Sequence, residues 1–261
     1  MKQYLSFYGE RDRRAIYVSI GIWFVLLIMV WAFNPITSLP TPVEIYKAFI
    51  NLVSVNGSGN LVYNVWVTLQ LQVVAMFYAT VLSMAFAYIG KLLVFNPFNR
   101  FVQLLRYIPV VGFTIIFYSF FSIGFGMKVA MLTAGLVFFM TTSMTAVLDS
   151  IPQLKYELAK SLGYSNWQIF MTVVVRPSLP NILEVIMQNA AMGWLMIVAV
   201  ETFNRTEGGM GAMLQIYSAS NQSANVYVYL IIIGVIALIE DALFRLTKRF
   251  VFPYTTIAER A

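Results

Sequence analysis

The 261-residue chain is 60% hydrophobic and only 11% charged, with a mean hydropathy of +0.77, which excludes an ordinary soluble domain. It has no cysteine and no histidine, so disulfides, thiolate chemistry, histidine-based triads and the usual zinc sites are excluded. Its net charge of +6 is scattered between apolar runs, a distribution that membrane orientation explains better than nucleic-acid binding.

Residues 1–14 are polar, with Lys2, Arg11, Arg13 and Arg14, and read as a short interfacial arm. Residues 15–33 are uncharged over about the length a bilayer core requires, and no small-residue cleavage site closes the run. Asn34-Pro35, Pro40 and Pro42 mark a turn-rich exit. The pattern of Ile45, Phe49 and Leu52 against Glu44 and Lys47 predicts a surface helix over 43–53, followed by a turn at 56–59. Residues 61–90 form a second span, longer than one perpendicular crossing needs. The third is expected over 107–125, kinked or delayed by Pro109. After a corner at Gly124 and Gly126 the fourth runs over 129–148. The fifth follows over 179–200, with Glu184 as its one charge, and the sixth over 226–244.

Six spans leave both termini on one side. If that side is cytoplasmic, only Lys47, Lys128 and Arg205 of the 17 basic residues lie outside, which decides the orientation. Residues 149–178 between spans four and five are then cytoplasmic.

That segment is the longest polar interruption in the chain. Ser150-Ile151-Pro152-Gln153 and Ser165-Asn166-Trp167-Gln168 each have a capping Ser with Gln three residues on. Gly163 suits the left-handed turn that ends a helix, and Arg176 before Pro177 is where a helix should stop or bend. The expectation is two short helices around a glycine corner, outside the bilayer. Taken alone, the segment could equally be a solvated loop.

Glu157, Ala159, Gly163 and Leu179-Pro180 also fall at the spacing of a known signature. They resemble the EAA loop of binding-protein-dependent ABC importer permeases, with Leu158 where the family has its first Ala. Val173 to Pro180 keeps the aliphatic-to-Leu-Pro ending. Arg106-Tyr107-Ile108-Pro109 and Glu201 with Gly209-Met210-Gly211 look like the nitrate/sulfonate/taurine-type branch. The resemblance spans residues 39–249. It implies an all-α polytopic membrane protein of about six transmembrane helices, a type I ABC importer permease-like (MetI-like) bundle with a cytoplasmic coupling-helix loop. The expected division is an arm at 1–14, a permease domain at 15–249 (core about 61–249, coupling loop 150–177) and a cytoplasmic tail at 250–261. The setting it implies is the bacterial inner membrane. Implied partners are two ABC ATPase subunits, a second permease copy, an extracytoplasmic solute-binding protein and the lipid bilayer. The solute would be small and polar or anionic, such as nitrate, a sulfonate, taurine or a vitamin precursor.

No Gly-x-x-x-x-Gly-Lys-Ser/Thr phosphate loop occurs, so ATP would be bound by the partner and the chain is expected to be a transport subunit with no cofactor of its own. The loop would then act as a lever, with Glu157, Leu158, Ala159, Ser161, Leu162, Gly163 and Trp167 at the ATPase. Glu157 would supply docking charge, Ala159 a close approach and Gly163 the corner. Within the fifth span, Gln188, Asn189 and Gly193 put amides beside small residues, which suits either helix packing or a wet path. Resemblance favours the path, joined by Glu201 at the outer end, where hydration, binding-protein contact and gating are equally open. Glu184, Glu240, Asp241 and Arg245 read as structural charges near the inner ends, Asp241 and Arg245 at helical i, i+4 spacing. An ion-gradient-driven secondary transporter is the alternative, but it would favour inverted repeats and midplane carboxylates, and the acids here cluster near span ends.

Overall fold

The computed structural model describes residues 13–33 and 39–253. The expectations for the arm at 1–12, the Asn34-Pro35 turn and the tail from 254 lie outside these residues. The described residues are helical, with no strand among them. α1 (Arg13–Phe33) extends over the first expected span. α2 (Pro42–Ser54) is amphipathic as anticipated, burying Ile45, Ala48 and Leu52, while Phe49 stays 40% exposed. It begins with a capping box: Glu44 N donates to Thr41 Oγ1 and Thr41 N to Glu44 Oε2. That Thr-x-x-Glu signature was available in the sequence.

α3 (Leu61–Ile89) is started by Asn60, whose Oδ1 accepts from the Val62 and Tyr63 amides at 2.8 and 3.2 Å. α3 packs most extensively against α6 (Phe125–Asp149), burying Leu71, Ala75 and Ala79 against Leu132, Leu136 and Met140. Both are long and apolar enough to cross a membrane, as are the continuous helix over residues 166–203 and the final helix, Ser223–Val251.

The third expected span takes a different shape. α4 (Asn96–Leu104) lies beyond the end of α3, a 3₁₀ turn carries it to Tyr107, and the chain then bends by 106° into residues 110–120, of which only Thr114–Phe120 (α5) is α-helical. Pro109 is the cause: it has no N–H to continue a helix and it holds Ile108 extended. Eleven residues cannot cross about 30 Å alone, so the bent pair is either one broken span or a re-entrant loop. Gly90 lets α4 approach, since a Cβ there would stand 2.3 Å from Asn99 Nδ2.

A second correction concerns residues 150–180. The first anticipated capping box does not form: Ser150 is the C-cap of α6, its hydroxyl donates to Val147 O, and α7 (Gln153–Ser161) starts from Pro152 with no side-chain cap. The second box does form, with Gln168 N on Ser165 Oγ and Ser165 N on Gln168 Oε1. The helix it starts is not short and separate, however. α8 (Asn166–Ile169) runs through a π-helical stretch (Phe170–Val175) into α9 (Arg176–Phe203). Pro177 and Pro180 remove two backbone donors, and the wider π turn, closed by Arg176 N–H on Met171 O, carries the helix past them. The fifth span is therefore one rod from Asn166 to Phe203. α10 (Met210–Ala219) and α11 (Ser223–Val251) complete the bundle.

Candidate functional site

Two polar regions lie at opposite ends of the bundle. At one end is the segment between α6 and α9. α7 stops in a Schellman turn: Tyr164 N donates to Ala159 O at 3.1 Å and Gly163 N to Lys160 O at 3.0 Å, with Gly163 at φ +78°. Nothing lies within 4 Å of where a Gly163 Cβ would stand, so the glycine is required by backbone conformation and not by space. The corner anticipated at this residue is present.

Glu157, Leu158, Ser161, Leu162, Gly163 and Trp167 are all exposed. Leu154, Leu158 and Leu162 recur at i, i+4, i+8, which on one helix makes a continuous apolar stripe, 59–73% exposed. The signature spacing drew attention to Glu157 and missed Leu154, which the four-residue period would have found. Ala159 is buried, 4% exposed, on a helix that packs against residues 166–175. Trp167 sits over Phe170 with ring centroids 5.7 Å apart, and Phe170 meets Tyr88 of α3 edge-on at 5.6 Å. Partial burial and the nearby Asp149 carboxylate push the Tyr156 phenol above its ordinary pKa, so it stays neutral.

Along α9 the four residues considered for a path separate. Gln188 is exposed. Asn189 is 5% exposed and its Nδ2 donates to Val185 O at 2.8 Å. Gly193 is a packing glycine: a Cβ there would stand 2.7 Å from Gln72 Oε1, and Gln72 Nε2 donates to Ala190 O at 3.1 Å across the α3–α9 contact. Asp241 pairs with Arg245 at 2.5 Å as anticipated, and Glu184 pairs with Lys248 of the last helix, a partner that the sequence did not indicate. Glu240 accepts from the Trp194 indole at 2.5 Å.

Glu201 is completely buried at the other end of the bundle, in a clasp. Its Oε1 accepts from Thr68 Oγ1 at 2.8 Å and its Oε2 from Gly211 N at 2.7 Å. Thr68 Oγ1 accepts from Met210 N at 2.8 Å, and Asn64 Oδ1 from Gly209 N at 2.8 Å. Three successive amides at the start of α10 thus end on α3 and α9 side chains, which satisfies the donors a helix N-terminus leaves free. Lys128, also fully buried, donates to Gly208 O at 2.8 Å. Gly209, at φ +114°, admits no Cβ, which would stand 2.2 Å from Glu201 Oε1. This geometry is that of an internal tie, which is none of the three roles left open for Glu201 by the sequence. Among the described residues no group of carboxylates is placed to hold a metal.

A family model described as binding-protein-dependent transport system inner membrane component matches residues 79–252. The chain is similar to the taurine transport system permease protein TauC of Escherichia coli, 24% identical over 92% of this chain and 90% of that one. It is also similar to the permease protein SsuC of Bacillus subtilis, named for aliphatic sulfonates transport, 26% identical over 89% and 83%. Among solved structures, one of the MetNI methionine ABC transporter in an inward-facing conformation has a chain that superposes with a TM-score of 0.66 at 18% identity, covering 73% of this chain and 95% of its own.

Proposed function

We propose a function from one premise, that this chain belongs to the binding-protein-dependent transport system inner membrane component family. It is the permease subunit of an ABC importer, a multi-pass inner-membrane component whose relatives are transport subunits and not enzymes. Our reading is that α7 and its Gly163 corner receive two separate ATPase subunits. Two copies of this chain form the path, and an extracytoplasmic binding protein delivers a small sulfonate or comparable anion of the taurine type. The setting is a bacterial inner membrane with both termini cytoplasmic.

One observation carries the coupling: α7 projects an exposed Leu154–Leu158–Leu162 stripe beside Glu157, on an element joined directly to a single 38-residue helix. Exposed apolar side chains on a polar segment gain about 1.5–3 kcal/mol each when a partner buries them. A rigid continuation into the bundle gives such a partner leverage on the fifth span. Movement of α7 would then tilt residues 166–203 as one body and alternate access on the two sides of a dimer.

The chain lacks cysteine, so a single one at position 158 offers a clean cross-linking probe. The expected result is a cross-link to the neighbouring ATPase in membranes, together with ATPase activity stimulated by taurine or an alkanesulfonate only when the cognate binding protein is present. No cross-link from position 158 would refute the docking assignment. Stimulation by a cationic or sugar solute instead would refute the substrate class and leave docking intact.

A further inference from the structure

A cavity of about 650 Å³ lies between the end of α3, α7 and the π-helical stretch. Its walls are Tyr88, Ile89 and Leu92 on one side and Tyr156, Phe170 and Val174 on the other, with Lys91 and Trp167 at its edge. The size is that of a small-molecule site, roughly 300–1,000 Å³, but the lining is apolar and aromatic, so a polar solute entering it would lose hydration and gain few partners. Of the residues assigned above to the ATPase contact only Trp167 borders this space, and the interior itself has been given no function.

Its level in the bundle identifies the occupant. The apolar run of α3 ends at Ile89 and the first charge after it is Lys91, so the cavity sits where hydrocarbon gives way to headgroups. Tyr88, Tyr156 and Trp167 beside a lysine are the side chains that settle at such a boundary. Lys91 is bound to Asp149 at 2.5 Å, but an ammonium has three donors, and Asp149 takes one. An anionic headgroup at this end would also meet the basic excess of the cytoplasmic segments. We propose that the cavity binds an acyl chain of an anionic phospholipid from the cytoplasmic leaflet, its headgroup on Lys91, so that lipid forms part of the contact between α3 and the start of the fifth span. This rests on the orientation in the membrane and not on ATPase docking at α7.

The test uses the assembled permease–ATPase complex in vesicles of chain-brominated phosphatidylglycerol or chain-brominated phosphatidylcholine. Bromine quenches indole emission on contact, and the Trp167 contribution is the difference between the unaltered complex and a Trp167→Phe complex. The expected result is about twofold or greater stronger quenching in the anionic lipid, abolished by filling the cavity with Val174→Phe. Val174 is 4% exposed and its enlargement could disturb folding, so Leu92→Phe, at a position 58% exposed, is the second filling variant. Quenching that persists in a folded filled variant would mean contact with bulk lipid only and overturn the proposal. So would quenching of the permease alone that disappears when the ATPase binds, since the protein partner would then own the cavity. Equal quenching by the two lipids would overturn the headgroup contact on Lys91.

Discussion

Gly163 and Gly209 are both held at positive φ, yet they constrain the molecule for different reasons. At Gly163 the surroundings are empty and only the left-handed backbone matters. Gly163→Val should therefore cost about 1–2 kcal/mol locally, leave membrane insertion intact and break the link between ATP hydrolysis and uptake. Transport at the normal rate by this variant, measured in vesicles, would remove the corner from the coupling path. At Gly209 backbone strain adds to a direct collision with Glu201. Gly209→Ala should destabilise the extracted protein by about 1–3 kcal/mol or more, read as a lower melting temperature. Glu201→Ala strips the acceptors from the buried Thr68 hydroxyl and Gly211 amide, a loss of about 1–3 kcal/mol for each group left unsatisfied. Glu201→Gln should fall between, because it keeps the shape and an acceptor but not the charge. A melting temperature unchanged in Glu201→Ala would show that the clasp is not a structural tie.

At the scale of elements, α7 is organised by a division of its faces. Ala159 is buried on a helix that packs against residues 166–175, while Leu154, Leu158 and Leu162 remain uncovered. Leu158→Asp should weaken ATPase binding by about tenfold or more, since ~1.4 kcal/mol is tenfold and a buried leucine is worth at least that. Leu158→Met should be nearly neutral in the same binding assay. The fifth span owes its length to a compromise of the same kind. Two prolines that would end a straight helix are absorbed by the π turn, so Asn166 to Phe203 remains one body. An unbroken rod transmits displacement from α7 over its whole length, whereas the two short helices expected from Pro177 would have placed a hinge before the membrane.

For the molecule as a whole, the arrangement of ends is internally consistent. Asn64, Thr68, Lys128, Glu201 and residues 208–211 gather at one end, and Tyr88, Lys91, Asp149, Tyr156 and Trp167 at the other. Alternating spans require this. With cysteine absent, single substitutions at Lys160 and Arg205 give a direct assay of sidedness. An impermeant thiol reagent applied outside intact cells should label position 205 and spare position 160. The reverse pattern would invert the topology and remove the loop from any cytoplasmic motor.

The sequence by itself determined the class, the order of the long helices, the glycine corner and the Asp241–Arg245 pair. These follow from run length, local backbone preference and i, i+4 spacing, all of which act between near neighbours in the chain. Tertiary structure alone decided which face of each helix is covered. Ala159 looks outward-facing in one dimension and only the fold buries it, and Gly193 looks path-lining until its contact with Gln72 makes it a packing position. The burial of Glu201 likewise depends on Thr68, more than a hundred residues away, and on the amides of α10. The path of the chain at Pro109 and Pro177 was decided the same way: proline dictates that a backbone donor is lost, but whether the helix breaks or widens depends on what neighbouring helices stand to bury.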